Sequence, residues 1–177
     1  DAHSLAVTAD GRVVSWGEDS FGQTEVPPDL GPALAVTGGS MHSVALGRDG
    51  MLRGWGNYDA GQAGPPEGMS NLIAVAAASA HTLAVRSDHT VAAWAFGTEP
   101  HEPIEDVVQI AAGVYHFVAL HREGRVTAWG GIAYDDTHTS PPDLANVVAV
   151  ACGSAHALAL TAHGRVVAWG DNSAGQS

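Results

Sequence analysis

Short apolar runs alternate with turn-forming residues along the whole chain, and no stretch of useful length has helical spacing. An apolar run opens each of four successive segments, at 33–36, 72–76, 107–111 and 147–151. A second run follows, as in 43–46 and 157–160, and a third alternates toward a tryptophan, as in 165–169. Apolar runs of this length between turn residues predict β-strands. The pattern therefore predicts an all-β chain.

The residues between the second and third runs are typical of tight hairpin turns. These turn pairs are Asp10-Gly11, Asp49-Gly50, Glu123-Gly124 and His163-Gly164. Such pairs suit the positive φ angles of a two-residue turn. The third segment has Asp88-His89 instead, and we expect this pair to tolerate the geometry less well. Proline pairs at 27–28, 65–66 and 141–142 cannot lie in a central strand, so they predict edges or connectors.

Tryptophan and histidine recur in the same phase. The tryptophans are separated by 39, 39, 35 and 40 residues, and a histidine stands 13 residues before each one. The five pairs are His3 and Trp16, His42 and Trp55, His81 and Trp94, His116 and Trp129, and His156 and Trp169. A repeat of about 39 residues with three antiparallel strands, plus a short fourth strand or a loop, predicts β-propeller blades. A β-solenoid is the weaker alternative.

The repeat boundaries are approximately 1–32, 33–71, 72–106, 107–145 and 146–177, with the first copy partial, in a single propeller segment of four to five blades. The chain has five hairpins between histidine and tryptophan but four apolar runs before them. We therefore expect either an incomplete ring or closure by another strand. Unpaired strand edges favour pairing with another chain, so self-association through these edges is expected.

Charge and composition narrow the classes of partner. The net charge is −12, from 19 acidic residues and seven basic residues that are all arginines. The arginines are scattered through turn positions and form no basic stripe, so we expect no nucleic-acid partner. No apolar run reaches the length of a membrane-spanning helix, so no membrane partner is expected. No leader of basic and then apolar residues opens the sequence, which leaves the compartment open.

Two long stretches resemble a known repeat family. They are AVTGGSMHSVALGRDGMLRGWGNYDAGQ (35–62) and AVACGSAHALALTAHGRVVAWGDNSAGQ (149–176). Both resemble repeats of the regulator of chromosome condensation (RCC1), and the spacer GQTEVPPDL (22–30) is similar to compact bacterial repeats of the β-lactamase inhibitory protein type. The resemblance implies a propeller of seven blades in the family and a function in protein binding. The third and fourth copies, WAFGTEPHEPIED (94–106) and WGGIAYDDTHTSPPDL (129–144), depart from the pattern because they lack Gly-Gln.

The repeated histidines and tryptophans allow a structural and a functional interpretation. Five histidines could converge on a metal, but the resemblance implies that each braces the corner of its blade through backbone hydrogen bonds. The tryptophans could form a ligand cage, but one per blade is more typical of packing between blades. Cys152 is the only cysteine, so no internal disulfide and no cysteine-based metal cluster can form. We expect no cofactor and no metal.

Residues just before the histidines are the first candidates for partner binding. In the inhibitor-like relatives, aromatic side chains at this corner carry binding. Here the positions hold Met41, Ala80, Tyr115 and Ala155, of which Met41 and Tyr115 are large enough to anchor an interface. Other loops combine acidic and aromatic residues, which suits a basic protein patch or an ordinary solvated loop. These candidates are Glu18, Asp19, Phe21, Tyr58, Asp59, Tyr134, Asp135 and Asp136. Asp135 and Asp136 lie near His138, but no repeated Asp-x-Asp spacing supports a cation site.

Catalytic motifs are missing from the sequence. No Gly-x-Ser-x-Gly, no ordered Ser/His/Asp set and no glycine-rich phosphate loop occurs. The sequence therefore favours a non-catalytic module that binds a protein through loops on one face. An architectural repeat of a larger bacterial protein is the alternative, and a metal-binding or enzymatic propeller is a third. Nucleotide exchange on a GTPase is conceivable by family analogy, but the fold does not decide it.

Overall fold

The described part of the chain is built from β-strands. A computed structural model describes residues 3–95, 103–130 and 144–177. These residues form fourteen strands and no helix. The strands are β1 His3–Val7, β2 Val13–Gly17, β3 Ala33–Gly38, β4 His42–Gly47, β5 Leu52–Gly56, β6 Leu72–Ala78, β7 His81–Arg86, β8 Val91–Trp94, β9 Val107–Ala112, β10 His116–His121, β11 Val126–Gly130, β12 Val147–Cys152, β13 His156–Thr161 and β14 Val166–Gly170.

The strands pair into five antiparallel sheets, which we number as blades 1 to 5. Blade 1 contains β1 and β2, and the other four contain three strands each in the orders β3-β4-β5, β6-β7-β8, β9-β10-β11 and β12-β13-β14. The all-β prediction is thus confirmed. In each blade, a hairpin turn joins the last two strands at one end, which we call the turn end. The histidine that begins the preceding strand lies at the opposite end, which we call the corner end.

The first strand of each three-stranded blade carries a β-bulge at the same place. The register shifts across one residue near the start of β3, β6, β9 and β12. A bulge redirects a side chain that regular pairing would hold against the sheet. The skipped residue is a large aliphatic that is exposed in all four blades. These residues are Leu34, Ile73, Val108 and Val148.

The hairpin turns of blades 1 to 4 also hold the start of the following blade. The carbonyl of Gly11 accepts a hydrogen bond from the amide of Ala33 at 2.8 Å, and the carbonyl of Gly50 accepts one from Leu72 at 3.1 Å. The carbonyl of His89 accepts the equivalent bond from Val107 at 3.0 Å. His89 adopts a φ of +67°, so the third blade keeps the turn geometry without glycine. The imidazole Nδ1 of His89 also lies 2.9 Å from the Val107 carbonyl, so a second hydrogen bond joins this turn to β9.

The apolar core lies between neighbouring blades within each of two compact units. The first unit comprises residues 1–87 and 92–99, and the second comprises residues 88–91 and 100–177. In the first unit, Val13 of blade 1 packs with Trp55 of blade 2, and Val44 of blade 2 packs with Trp94 of blade 3. In the second unit, Val118 of blade 4 packs with residues of blade 5 that include Trp169. Sheets with two apolar faces thus bury them by stacking.

No helix among the described residues is long and apolar enough to cross a membrane.

Candidate functional site

The corner end of each blade is formed by two segments that meet through the backbone. One segment joins the first two strands and ends just before the histidine, and the other follows the tryptophan strand. The amide of Asn57 donates to the carbonyl of Met41 at 2.8 Å, and the amide of Asp171 donates to the carbonyl of Ala155 at 2.9 Å. The residue before each of these histidines is therefore held against the start of the next loop.

Neighbouring corners are joined within each unit. The amide of Ser40 in blade 2 donates to the carbonyl of Ser79 in blade 3 at 2.9 Å. In the second unit, the amide of Val114 in blade 4 donates to the carbonyl of Ser154 in blade 5 at 3.0 Å. These bonds satisfy backbone groups that loops would otherwise present to water. They give the side chains at positions 41 and 115 a fixed backbone.

Glycine at the corner makes room for the histidine ring. A Cβ on Gly39 would lie 2.2 Å from the Cε1 atom of His42, and a Cβ on Gly113 would lie 2.1 Å from the same atom of His116. Blade 3 has Ala78 at this position, and its corner is built differently. There the ladder continues by one pair, Ala78 with His81, and Ser79 turns the chain with a φ of +46°. The change follows from the side chain that Ala78 adds.

Histidines of one blade bond to hydroxyl groups of the next. The Nε2 atom of His42 lies 2.9 Å from the hydroxyl of Thr82, and that hydroxyl donates to the backbone carbonyl of Gln62 at 2.8 Å. Because the hydroxyl hydrogen is used on the carbonyl, the oxygen of Thr82 accepts from His42. His3 makes the same arrangement with Ser43 at 3.0 Å, and Ser43 donates to a carbonyl at 2.7 Å. Sequence reasoning missed these hydroxyls, although both directly follow a repeated histidine.

Burial keeps the ring of His42 neutral. Its side chain is fully buried, and the Nδ1 atom has no hydrogen-bond partner. Burial, with the nearby charges of His3 and His81, lowers the pKa of His42 to about 4. Burial also lowers the pKa of His3. Among the described residues, no group of three or more His, Cys, Asp or Glu side chains is placed to hold a metal ion. The observed ring partners of His3 and His42 are hydroxyl groups of the next blade, whereas the resemblance implied backbone groups.

The Gly-Gln ending of the first, second and fifth repeats closes the loop after the tryptophan strand. The Oε1 atom of Gln23 accepts from the amide of Phe21 at 2.9 Å, and Gln62 accepts from the amide of Ala60 at 2.8 Å. The backbone carbonyl of Gln23 also accepts from the indole of Trp55 at 2.9 Å. One glutamine thus shapes its own loop and bonds the tryptophan of the following blade.

The tryptophans differ in their surroundings. Trp55, Trp94 and Trp169 are buried, and Trp129 lies against Phe117 with ring centroids 5.5 Å apart. Trp16 in blade 1 is 54% exposed. The sole cysteine, Cys152, is partly buried, and burial raises the pKa of its thiol to about 12, so it is a poor nucleophile.

Four of the predicted partner-binding residues lie exposed at the corner end. The exposed fractions are 45% for Phe21, 39% for Met41, 54% for Tyr58 and 52% for Tyr115. The first three belong to the first unit, and Tyr115 belongs to the second. The other predicted residues, Tyr134, Asp135 and Asp136, lie outside the described residues.

Charge is distributed unevenly between the two ends of the blades. Every arginine of the chain lies in or beside a hairpin turn, at Arg12, Arg48, Arg53, Arg86, Arg122, Arg125 and Arg165. The described loops that follow tryptophan strands at the corner end carry carboxylates, at Glu18, Asp19, Asp59 and Asp171. The hairpin turns also carry carboxylates, at Asp10, Asp49, Asp88 and Glu123, but arginines offset their charge, so the corner end has the more negative net charge.

Comparison with known proteins shows where this architecture recurs. The model of the regulator of chromosome condensation (RCC1) repeat matches residues 1–23, 107–131 and 147–176. No curated protein sequence matches the chain. Among solved structures, human WBSCR16 has a TM-score of 0.78 at 23% identity, with coverage of 97% of this chain and 60% of that one. Yeast RCC1 (Prp20) bound to Kap60 has a TM-score of 0.77 at 20% identity, with coverage of 96% and 54%.

A second structure of Prp20p, from Saccharomyces cerevisiae, has a TM-score of 0.76 at 20% identity, with coverage of 95% of this chain and 56% of that one. The chain thus spans between about half and three-fifths of the length of these structures. The three matched segments contain the strands of blades 1, 4 and 5. Blades 1, 4 and 5 therefore match the RCC1 repeat, and the chain has the fold of an RCC1-like β-propeller.

Proposed function

We propose that the chain is a non-catalytic protein-binding module that holds a partner protein at the corner end of its blades. The observation that carries this proposal is the exposure of large apolar side chains on a hydrogen-bonded backbone. Met41 and Tyr115 occupy the same position in two blades, and both are exposed. Each is followed by a buried histidine. Aromatic residues and methionine are enriched at protein interfaces, and a fixed backbone lowers the entropy lost on binding.

Two structural relatives support the choice of a protein as the ligand. One is yeast RCC1 (Prp20) bound to Kap60, and the other structure concerns the binding properties of Prp20p to Gsp1p and histones. The chain described here spans only 54% and 56% of the length of these two structures, so the identity of their partners is not transferred to it. Site chemistry also favours binding over catalysis, because the rings of the half-buried His3 and the buried His42 are engaged by the hydroxyl groups of Ser43 and Thr82.

An affinity experiment with matched variants tests the proposal. Met41 and Met51 are both 39% exposed, but Met41 lies at the corner end of blade 2 and Met51 lies at its turn end. Proteins captured by the wild-type chain would be identified, and their dissociation constants measured for Met41→Ala, Tyr115→Ala and Met51→Ala. We expect each corner variant to weaken binding about tenfold or more, as interface anchors do. Met51→Ala should bind as the wild type does.

Equal loss in the two methionine variants would contradict a site at the corner end. If no protein is captured specifically, the architectural alternative is favoured, in which the repeats serve as a structural part of a larger protein. Folding of each variant is checked by its denaturation midpoint, since an exposed Met→Ala change should alter stability by about 0.5 kcal/mol or less.

A further inference from the structure

Three exposed side chains of the first unit are carried by segments whose backbones converge at the junction of blades 1 and 2. We call Phe21, Met41 and Tyr58 the corner patch. Gly56 marks the point where their backbones converge. A Cβ on Gly56 would lie 2.7 Å from the carbonyl oxygen of Met41 and 3.2 Å from the Cα atom of Gln23. The amide of Phe21 donates a hydrogen bond to the side chain of Gln23, and Tyr58 stands two residues after Gly56.

The loops that form the corner patch are held in place by local hydrogen bonds. The amide of Thr24 donates to the carboxylate of Asp19 at 2.7 Å, and the amide of Asp59 donates to the side-chain oxygen of Asn57 at 2.9 Å. The hydroxyl of Tyr58 donates to the carbonyl of Gly54. The ring of Tyr58 is therefore fixed at its polar end while half of its surface remains exposed. A prearranged apolar surface of this kind loses little entropy when it is covered.

Three carboxylates flank corner-patch residues in the sequence, whereas the arginines lie at the turn ends. Glu18 and Asp19 precede Phe21, and Asp59 follows Tyr58. Their hydrogen bonds come from neutral groups, namely the amides of residues 20 and 24, the hydroxyl of Ser20 and the side-chain amide of Asn57. Within the described part of the chain, none of these three carboxylates forms an ion pair. Their charge therefore remains available to a partner.

We propose that the corner patch binds a partner segment that is rich in lysine and arginine and carries an apolar side chain. This inference rests on the proposed function and adds the chemistry of the partner. The chain has no lysine, and all seven arginines lie at the turn ends, so the corner patch receives no neutralising charge from its own blades. A neutral partner would desolvate the flanking carboxylates without compensation, and an acidic partner would be repelled. Basic residues at the rim would instead accelerate association.

A random twelve-residue peptide library displayed on phage tests this inference against the whole chain. Peptides selected on the wild type would be synthesised with a fluorescent label, and their dissociation constants measured at two salt concentrations. Asp19→Asn with Asp59→Asn removes two charges from the rim and keeps the hydrogen-bond acceptors. Glu105→Gln with Glu123→Gln removes two exposed charges at a turn end and is the matched control.

The expected result is enrichment of peptides with a net positive charge and at least one apolar residue. We expect their binding to weaken about fivefold or more in the Asp19 and Asp59 variant and in Met41→Ala. Binding by the turn-end control should remain within about twofold of the wild type. Raising the salt concentration should also weaken binding, because exposed charges are screened.

Two results would overturn the inference, and they can be told apart. One result is that the selected peptides are neutral or acidic, and that Met41→Ala weakens their binding while the Asp19 and Asp59 variant does not. The corner end would then remain a binding site, but the inference of a basic partner would be wrong. Peptides that bind equally to wild type, Met41→Ala and Tyr115→Ala would contradict both the inference and the proposed function.

Discussion

The imidazole of His42 and the hydroxyl of Thr82 lie 2.9 Å apart, although 40 residues separate them in the sequence. They belong to neighbouring blades of the first unit, and the hydroxyl donates its own hydrogen bond to the carbonyl of Gln62. This chain of bonds ties the corner of one blade to the strand of the next and to the loop between them. Both side chains are fully buried, so no water can replace the bond without opening the junction.

Thr82→Val should therefore lower the free energy of unfolding. The substitution keeps the shape of the side chain but leaves the Nε2–H group of His42 and the carbonyl of Gln62 buried without this partner. Unsatisfied buried groups cost about 1–3 kcal/mol each, so a loss of about 2–6 kcal/mol is expected for the two groups. Urea denaturation measures it. Thr82→Ser retains the hydroxyl and should lose no more than about 1 kcal/mol, and equal losses in the two variants would show that packing alone matters at this position.

Acid should weaken the fold through His42. Its pKa is about 4 in the folded state and 6.5 as the ordinary value, so the unfolded chain binds more protons between these pH values. The stabilisation is complete above about pH 6.5 and decreases as the pH falls toward 4. At about 1.4 kcal/mol per pKa unit, this histidine alone contributes a loss of about 3 kcal/mol.

His42→Gln separates that contribution from the titration of other groups. Glutamine does not titrate, so the variant should be less stable at pH 7 but should lose less stability than the wild type on going from pH 7 to pH 4.5. Urea denaturation at a series of pH values gives both slopes. Parallel curves for variant and wild type would mean that His42 does not carry the acid sensitivity.

Repetition explains how much of this fold was accessible from the sequence. The sequence repeat predicts the strands, the turns and the phase of the histidines and tryptophans, because each copy forms the same local structure from the same residue types. The link between His42 and Thr82 does not follow from one copy, because its partners lie one repeat apart. A comparison in phase gives the signal, since Ser43 and Thr82 follow the histidine in the second and third copies, while Phe117 and Ala157 take that position later.

The candidate site was predicted only in part, because the sequence identified single residues but not how they come together. Met41 and Tyr115 were predicted because the resemblance implies binding side chains at this repeat position and both residues are large, and both are exposed. The convergence of Phe21 with Met41 depends on how two loops meet around Gly56, which no spacing rule describes. Trp16 likewise has the same sequence context as Trp55 but is 54% exposed, because burial depends on the neighbouring sheet and not on the repeat itself.

Gly39→Ala should disrupt the corner of blade 2. The added Cβ would lie 2.2 Å from the ring of His42 and 2.6 Å from the carbonyl oxygen of Ser79, and neither the ring nor the backbone can move without losing a hydrogen bond. A loss of about 3 kcal/mol or more is expected, which exceeds the usual cost of overpacking because the bond to Thr82 is lost as well. Ala78→Gly at the same position of blade 3 should cost only about 1 kcal/mol. Thermal and urea denaturation of the two variants compare them, and a mild effect of Gly39→Ala would show that the ring adapts.

Gly124 and Gly164 offer a test of how a hairpin turn holds the next blade. Both have a φ of +79°, so alanine suffers the same backbone strain of about 1 kcal/mol at either position. Their surroundings differ, because a Cβ on Gly124 would lie 3.0 Å from the Cα atom of Asn146 and from the amide of Val147, whereas a Cβ on Gly164 meets nothing within 4 Å. Gly124→Ala should therefore also weaken the bond between its carbonyl and Val147. We expect a loss of about 2–3 kcal/mol for Gly124→Ala against about 1 kcal/mol for Gly164→Ala in urea denaturation. Equal losses would mean that strain in the turn, and not contact with the following strand, explains the glycine at this repeat position.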